Sequence, residues 1–404
     1  MKKKNVIILS IALVIFTSAI TFVVSNMIQL NMGGKILLSS DAYKYYQGLE
    51  TEFSKVEELK SFIDENYYTD TSKIDFEDGI LKGMFAQLKD PYSVYMNEKD
   101  FKSFTESTTG TYGGVGLHLW VDKDGYITVV SPMEGSPAQR AGIISGDIIF
   151  RVGDIDVSGD NYEEAVTHMR GEPNTKVKVM IKRKGVTDPI TIELTRELIK
   201  VKTVKTEVLN GNIGYLKFSA FEEASAKEFI TKMNELKSKG VKGLILDLRQ
   251  NGGGSLYECQ EIADALLGKQ VIVYTQDRQG KKEYYYSDDR KLGLPIVVLV
   301  DGGSASASEI LTGAIKDTKS GTIVGEKTFG KGIVQSVIEL KDNTALKLTT
   351  SQYFTPNGIN IHGKGIMPDV VVKAGVATPG SDKIDPIGDP QLKKAIEVMQ
   401  GQIK

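Results

Sequence analysis

Cysteine and histidine are scarce in this sequence, with one cysteine and three histidines among 404 residues. The single cysteine, Cys259, excludes an intrachain disulfide, and the scattered histidines form no recognisable metal-ligand cluster. The formal net charge of −2 gives no support for nucleic-acid binding, which usually requires a basic patch. No nucleotide-binding loop of the G-x-G-x-x-G type opens a helix. We therefore expect no metal, no cofactor and no nucleic-acid partner.

Charge is absent from the run between Val6 and Val24, and three lysines precede it. A run of this length can cross about 30 Å of hydrocarbon as a helix. Positive charge before an apolar span favours an N-terminus that stays in the cytoplasm. The pattern predicts an uncleaved membrane anchor that leaves the rest of the chain outside the cytoplasm, and a cleaved signal peptide is the alternative.

Changes in residue pattern divide the remaining chain into regions. Apolar residues have helical spacing between residues 42 and 110. From Gly110 apolar and polar residues alternate, with a turn at Asp124-Gly125 that is typical of hairpins. From Val201, continuous apolar strands alternate with helices, which indicates an α/β core. We expect a multidomain α+β and α/β protein with an anchor at 1–30, a helical region at 40–105, a strand-rich domain at 106–192, an α/β core at 193–375, and a linker with a helix at 376–404.

Three serines, Ser304, Ser306 and Ser308, stand where the β-branched run 296–301 turns into an amphipathic stretch. A serine at the N-terminus of a helix lies beside unpaired N–H groups that can stabilise a negatively charged oxygen. Serines at this position can equally cap the helix, in partnership with Glu309. The local sequence leaves both roles open.

The chain offers few bases for a serine nucleophile. His118 and His168 lie in the strand-rich domain, so a histidine mechanism would depend on His362. The Ser-x-x-Lys motif is absent. Lys331 lies between two glycines, where burial could lower its pKa enough for it to act as a base. An exposed turn lysine is the simpler interpretation, and Lys327 is equally available.

The segment SPAQRAGIISGDIIFRVGD closely resembles the PDZ family. In such a domain a bound peptide adds a strand, here beside residues 118–121, and lies against a helix, here 161–170. The resemblance implies that the peptide's C-terminal carboxylate contacts the backbone N–H groups of Gly114, Val115, Gly116 and Leu117. A tight turn is the alternative explanation for these glycines.

Several motifs occur in the order found in the carboxy-terminal processing proteases, also called tail-specific proteases: DPYSVYM, YGGVGL, the PDZ segment, LILDLRQNGGG, GSASASE and FGKGIVQ. The similarity covers roughly residues 60–372, so the sequence is identified as a member of that family. The resemblance implies a crotonase-like α/β core in which Ser306 is the nucleophile, Lys331 is the general base and Gln335 orients the lysine amine. On a straight strand, however, residues 331 and 335 lie about 13 Å apart, so contact requires a bend.

The resemblance also implies an oxyanion hole formed by the N–H groups of Gly253 and Ala307. The family usually has proline where this chain has Gly252. Because glycine does not fix φ, we expect a more flexible loop and a slower or more ligand-dependent site.

The function implied by the resemblance is that of a membrane-anchored, extracytoplasmic serine endopeptidase that recognises the C-termini of protein or peptide substrates through its PDZ domain. Arg170, at the end of the PDZ helix, is a candidate for coupling the two domains, although a surface arginine is as plausible. Homodimerisation through the terminal helical regions is a further expectation. The alternatives are a PDZ scaffold with an inactive protease core and a non-peptidase enzyme of crotonase-like architecture.

Overall fold

The computed structural model describes residues 3–27, 31–32, 35–36, 39–289, 291–375, 384 and 387–403. The chain divides into two compact units, Met1–Gly83 and Met84–Lys404. The predicted linker between Pro379 and Pro390 lies mostly outside the described residues.

The first unit is mainly helical. Its elements are α1 (Lys3–Met27), β1 (Asn31–Met32), β2 (Lys35–Ile36), α2 (Ser40–Asn66) and most of α3 (Phe76–Ala86). Within α1, the segment Lys3–Phe22 has a mean hydropathy of 2.3 and none of it is buried. This helix is long and apolar enough to cross a membrane, a property that signal sequences share.

The second unit begins with a short strand and a helix and continues into the strand-rich domain that the sequence predicts to be a PDZ domain. These elements are β3 (Val94–Met96), α4 (Glu98–Thr109), β4 (Thr111–Gly114), β5 (Leu117–Val121), β6 (Ile127–Pro132), α5 (Pro137–Arg140), β7 (Ile148–Val152), β8 (Ile155–Asp156), α6 (Tyr162–Met169), β9 (Lys176–Lys182), β10 (Ile190–Thr195) and β11 (Glu197–Lys200).

The PDZ sheet has the strand order β10-β9-β7-β6-β5, so β5 forms one edge. Its apolar residues, Ile127, Val129 and Val179 among them, alternate toward a separate buried core. The edge position of β5 leaves its outer side available for an added strand.

The α/β core follows and ends with the terminal helix. Its elements are β12 (Val204–Leu209), β13 (Ile213–Phe218), α7 (Ser225–Ser238), β14 (Gly243–Asp247), α8 (Leu256–Leu266), β15 (Gln270–Asp277), β16 (Lys282–Ser287), β17 (Ile296–Val300), α9 (Ala307–Asp317), β18 (Thr322–Gly325), β19 (Ile333–Glu339), β20 (Ala345–Phe354), β21 (Val370–Val371) and α10 (Pro390–Gln402).

The core sheet has the order β12-β13-β14-β17-β18-β21 and is parallel from β13 onward. Alternate residues of β13, β14 and β17 face helices α7, α8 and α9 on one side and α10 on the other. Strands buried on both faces explain the continuous apolar runs in the sequence. The fold is therefore mixed α/β.

A second, antiparallel sheet has the order β16-β15-β20-β19, and β3 joins it beside β20. Residues 94–96 lie in the region predicted to be helical, but they pair with 345–347 instead. Pairing with a distant strand overrides the helical pattern around them. The sequence DPYS, 90–93, is thereby held against β20.

Candidate active site

The candidate active site lies where two neighbouring parallel strands end. Strand β14 pairs with β17, so the loop after Asp247 and the turn after Val300 emerge at the same edge of the sheet. This edge is where open α/β sheets bind their ligands. The glycine loop and the serine turn of the sequence therefore meet in space.

Ser306 occupies a strained backbone conformation immediately before α9. Its φ of 56° and ψ of −118° are unusual for a residue with a side chain. Such a conformation costs on the order of 1–3 kcal/mol and persists only where neighbouring contacts fix it. The Tyr353 hydroxyl provides one of these contacts by donating to the Ser306 carbonyl at 3.2 Å.

The two flanking serines anchor the turn to the end of β14. The Ser304 hydroxyl donates to the Leu248 carbonyl at 2.8 Å, and the Ser308 hydroxyl donates to the Asn251 carbonyl at 2.9 Å. Both serines are fully buried. The turn thus needs three serines because two of them hold the third in its strained position.

The buried carboxylate of Glu309 connects the serine turn to residues 328–331, which we call the lysine loop. It accepts hydrogen bonds from the N–H of Ser306 at 3.0 Å and the N–H of Lys331 at 2.8 Å. It also accepts from the N–H of Gly330 at 2.8 Å and the hydroxyl of Thr328 at 2.5 Å. Its contact with Ser306 is the reciprocal half of the capping arrangement suggested by the sequence.

A cavity of about 480 Å³ opens beside Ser306, and we call it the Ser306 cavity. The loop after β14, helices α4 and α9, and strands β19 and β20 all contribute to its wall. Among its lining residues are Gly253, Ser306, Ala307, Lys331 and Gln335. The structure therefore brings the five predicted protease-site residues to one cavity.

The Lys331 amine lies over the ring of Tyr92, 4.5 Å from its centroid. Burial lowers the pKa of Lys331 below its ordinary value, and the positive charge of Lys347 lowers it further against the opposing effect of Asp90. Among the described residues, no hydrogen bond joins the amine to Ser306. Lys327, the other candidate lysine, is exposed.

Gln335 lines the same cavity but is not hydrogen-bonded to Lys331 in the described part of the chain. Its amide donates to the Thr349 hydroxyl at 3.2 Å. Strand β19 begins at Ile333, after Lys331, and a register shift separates Val334 from Gln335. The straight-strand separation estimated from the sequence therefore does not apply.

The glycine loop differs from the prediction in one hydrogen bond. The N–H of Gly253, the predicted oxyanion donor, is occupied by the side-chain oxygen of Asn251 at 2.9 Å. A Cβ added to Gly253 would lie 2.8 Å from both the Ala307 nitrogen and the Ser306 Cβ. A Cβ added to Gly252 would have no neighbour within 4 Å. Gly253 therefore needs to be glycine for close packing, whereas Gly252 does not.

Other candidates from the sequence lie elsewhere. His362 is exposed and is absent from the described lining of the Ser306 cavity. Within the described ranges, no group of three or more histidine, cysteine or acidic residues could hold a metal ion.

The predicted carboxylate loop, Gly114 to Leu117, joins β4 to the edge strand β5. Gly116 has a φ of 75°, and a Cβ there would lie 2.3 Å from the Ser136 Cβ. Arg170 ends helix α6 and stacks on the ring of Tyr112 in β4 at 4.6 Å. Strand β4 directly follows α4, which contributes Phe104 to the Ser306 cavity.

Sequence reasoning did not identify four residues at this site: Tyr92, Thr328, Lys347 and, beyond its cap role, Glu309. Tyr92 belongs to the DPYSVYM motif, and Thr328 precedes the FGKG segment. Their positions in or beside these motifs were the sequence signals that could have identified Tyr92 and Thr328 as site residues. Lys347 carries no local signal, because its position depends on the pairing of β20 with β19.

Comparisons with known proteins agree with this organisation. Residues 212–372 match the model for peptidase family S41, residues 128–183 match a PDZ domain, and residues 14–100 match the N-terminal domain of the activating protease CtpB. The carboxy-terminal-processing protease of Bartonella bacilliformis is 42% identical over 302 residues, which cover 72% of this chain and 68% of that protein.

The carboxy-terminal processing protease CtpA of Bacillus subtilis is 39% identical over 323 residues, covering 80% of this chain and 69% of that protein. Among solved structures, an S41 protease from Bacteroides fragilis is similar in fold, with a TM-score of 0.54 and 18% identity over 84% of this chain and 94% of that one.

We expect Glu309→Gln to destabilise the fold. An amide offers one acceptor oxygen where four donors converge, so buried N–H groups lose their partner, at a cost of about 1–3 kcal/mol. Urea unfolding of the full chain in detergent micelles measures this loss. Glu339→Gln, at an exposed position of β19, is the matched control and should leave the midpoint unchanged. Equal midpoints for the two variants would contradict the role of Glu309.

Proposed function

Because this chain belongs to the carboxy-terminal processing proteases of peptidase family S41 and is a serine-type peptidase, we propose that Ser306 is its nucleophile and Lys331 its general base. One observation carries the assignment. A serine strained at the N-terminus of a helix shares a cavity with a lysine whose pKa is lowered.

The proposed reaction starts with the neutral amine of Lys331 removing the hydroxyl proton of Ser306 as its oxygen attacks the scissile carbonyl carbon. The resulting ammonium group returns that proton to the leaving amine when the C–N bond breaks. A water molecule then attacks the acyl-enzyme, giving one proton to Lys331, and the ester bond to Ser306 breaks with return of that proton. The Ser306 hydroxyl and the neutral Lys331 amine are thus regenerated without a cofactor.

The negative oxygen of each tetrahedral intermediate would lie beside the N–H of Ala307. This group belongs to the first turn of α9, where the positive end of the helix dipole favours negative charge. Gly253 lies against the same position and would donate its own N–H after releasing Asn251.

The positions of the lysine amine and the Gly253 N–H fit a resting state of such an enzyme. The lysine amine lies on Tyr92 instead of contacting Ser306, and the Gly253 N–H is occupied by Asn251. Substrate binding would have to move both groups. We propose that Gln335 assists indirectly, through Thr349, whose N–H donates to the hydroxyl oxygen of Ser93, next to Tyr92.

The PDZ domain would capture the C-terminus of a protein or peptide substrate. The edge strand β5 can pair with an extended peptide, and the loop from Gly114 to Leu117 would bind its carboxylate. The stacking of Arg170 on Tyr112 offers a route from helix α6 to α4 and the Ser306 cavity. Because Ser306 and Lys331 share one cavity, the inactive-scaffold alternative is not favoured.

Membrane anchoring is part of the proposal. The segment Lys3–Phe22 begins with two lysines, is strongly apolar beyond them and is unburied, which suits a single span with the catalytic part outside the cytoplasm. The crotonase-like description of the core and the homodimer both remain predictions.

We expect Ser306→Ala and Lys331→Ala to lower cleavage of an unfolded test protein by at least about a thousandfold, because each removes a reacting group. The full chain in detergent micelles is the enzyme, and a cooperative thermal unfolding transition shows that each variant is folded. Lys327→Ala, at an exposed lysine, is the control and should cut normally. If Lys331→Ala cuts like the wild type, the base is wrong and His362 becomes the next candidate.

We expect Gly253→Ala to reduce cleavage by about a hundredfold or more, because its methyl group would fill the space beside Ala307 that the oxyanion needs. Gly252→Ala should cut within a few-fold of the wild type, since a methyl group there meets open space. Steady-state rates on the same test protein compare the two. Similar losses in both variants would argue against the oxyanion position.

Arg170→Ala should weaken the coupling between the PDZ domain and the protease core. If a C-terminal peptide stimulates wild-type cleavage, loss of the stacking on Tyr112 should reduce that stimulation about two- to fivefold while peptide binding is retained. Arg151→Ala, at a PDZ arginine paired with Asp156, is the control. Undiminished stimulation in Arg170→Ala would reject the coupling role.

A further inference from the structure

Lys347 lies in the wall of the Ser306 cavity, which Lys331 also lines. It belongs to β20, where it is paired with Val337 of β19 and Val94 of β3. Its ammonium group lies over the ring of Phe104, 5.2 Å from the centroid. Among the described residues Lys347 forms no ion pair, so its positive charge is not neutralised by direct contact with a carboxylate.

The charged groups near Lys331 or in the same cavity come from four segments of the described chain. Lys347 is on β20, and Asp90 precedes the turn that carries the Tyr92 ring. Glu309 on α9 accepts the backbone N–H of Lys331, but its carboxylate is already saturated by four donors. Glu222, which also lines the cavity, is a half-buried carboxyl whose pKa is raised by burial and by Glu228.

Two lysines in one partly buried cavity repel each other when both are charged. Water screens this repulsion less inside a cavity than at an open surface. A positive neighbour therefore favours the neutral form of the second amine, and a base must be neutral to accept a proton. Burial and Lys347, in that order, lower the pKa of Lys331, and Asp90 acts against them.

We propose that Lys347 is a positioning residue for the peptidase reaction: its positive charge in the cavity wall disfavours a second charge on the Lys331 amine and so favours the form that can remove the proton of Ser306. Lys347 itself transfers no proton and touches no reacting atom in this role. The inference rests on the proposed function, because it needs Lys331 to be the base.

The test is the pH dependence of kcat/KM for the full chain in detergent micelles, with an unfolded protein as substrate. Lys347→Met removes the charge but keeps an unbranched side chain over Phe104. Because the base then stays protonated to higher pH, activity near neutral pH should fall about three- to tenfold. It should return toward the wild-type value as the pH is raised, so that the rising limb of the profile moves to higher pH.

Lys347→Arg keeps the charge and should retain the wild-type profile. Lys327→Met, at an exposed lysine outside the described cavity lining, should do the same. If Lys347→Met does not fold, Lys347→Gln makes the same test.

Three results would overturn the inference: a rising limb in the same place, a loss that is equal at every pH, or a change confined to KM. The last two would make Lys347 a structural or substrate-binding residue. Lys331→Ala separates this failure from failure of the proposed function. If Lys331→Ala is inactive while Lys347→Met has the wild-type profile, the base assignment stands and the role of Lys347 is wrong.

Discussion

The geometry of the site depends on one buried carboxylate. Glu309 holds the N–H of Ser306 on one side and three donors of the 328–331 loop on the other. An ionised carboxylate is the side chain suited to this position, because it offers only acceptors and has room for about four hydrogen bonds. Its location in the first turn of α9 also places the negative charge where the helix dipole favours it. The nucleophile turn and the lysine loop are therefore fixed relative to each other before any substrate arrives.

The parallel sheet supplies the second constraint. Strands β14 and β17 end together, so Ser304 and Ser308 can reach the carbonyls of Leu248 and Asn251. These bonds and Glu309 together maintain the unfavourable φ of Ser306. Strain of this kind is tolerated because the surrounding contacts leave the chain no relaxed alternative.

Much of the site was predictable from sequence where the information is local or carried by motifs. The strand-to-helix turn, its partnership with Glu309 and the glycine-flanked Lys331 all follow from a few adjacent residues. Long-range features were not predictable in the same way.

The contact between Lys331 and Tyr92 depends on strand β3 joining β20, in a region whose pattern indicates helix. The separation estimated for Lys331 and Gln335 on a straight strand does not apply, because β19 begins only after Lys331 and its register shifts before Gln335. Both outcomes depend on sheet pairing, which a single sequence specifies weakly.

The same environment that suits Lys331 to act as a base works against folding. In the unfolded chain its amine is solvated and binds a proton at its ordinary pKa, whereas burial and Lys347 lower that pKa in the folded state. The unfolded state then binds more protons over the interval between the two pKa values, so this group makes stability rise with pH across that interval. Below the folded pKa its unfavourable contribution is fully present, and above the unfolded pKa it disappears. Glu309 therefore stabilises the lysine loop through its backbone N–H groups. The side chain of Lys331, in contrast, lies in an environment that is unfavourable for an ammonium group. Because the two interactions are separate, the protonated form of the Lys331 amine can be destabilised while the backbone of the loop stays in place.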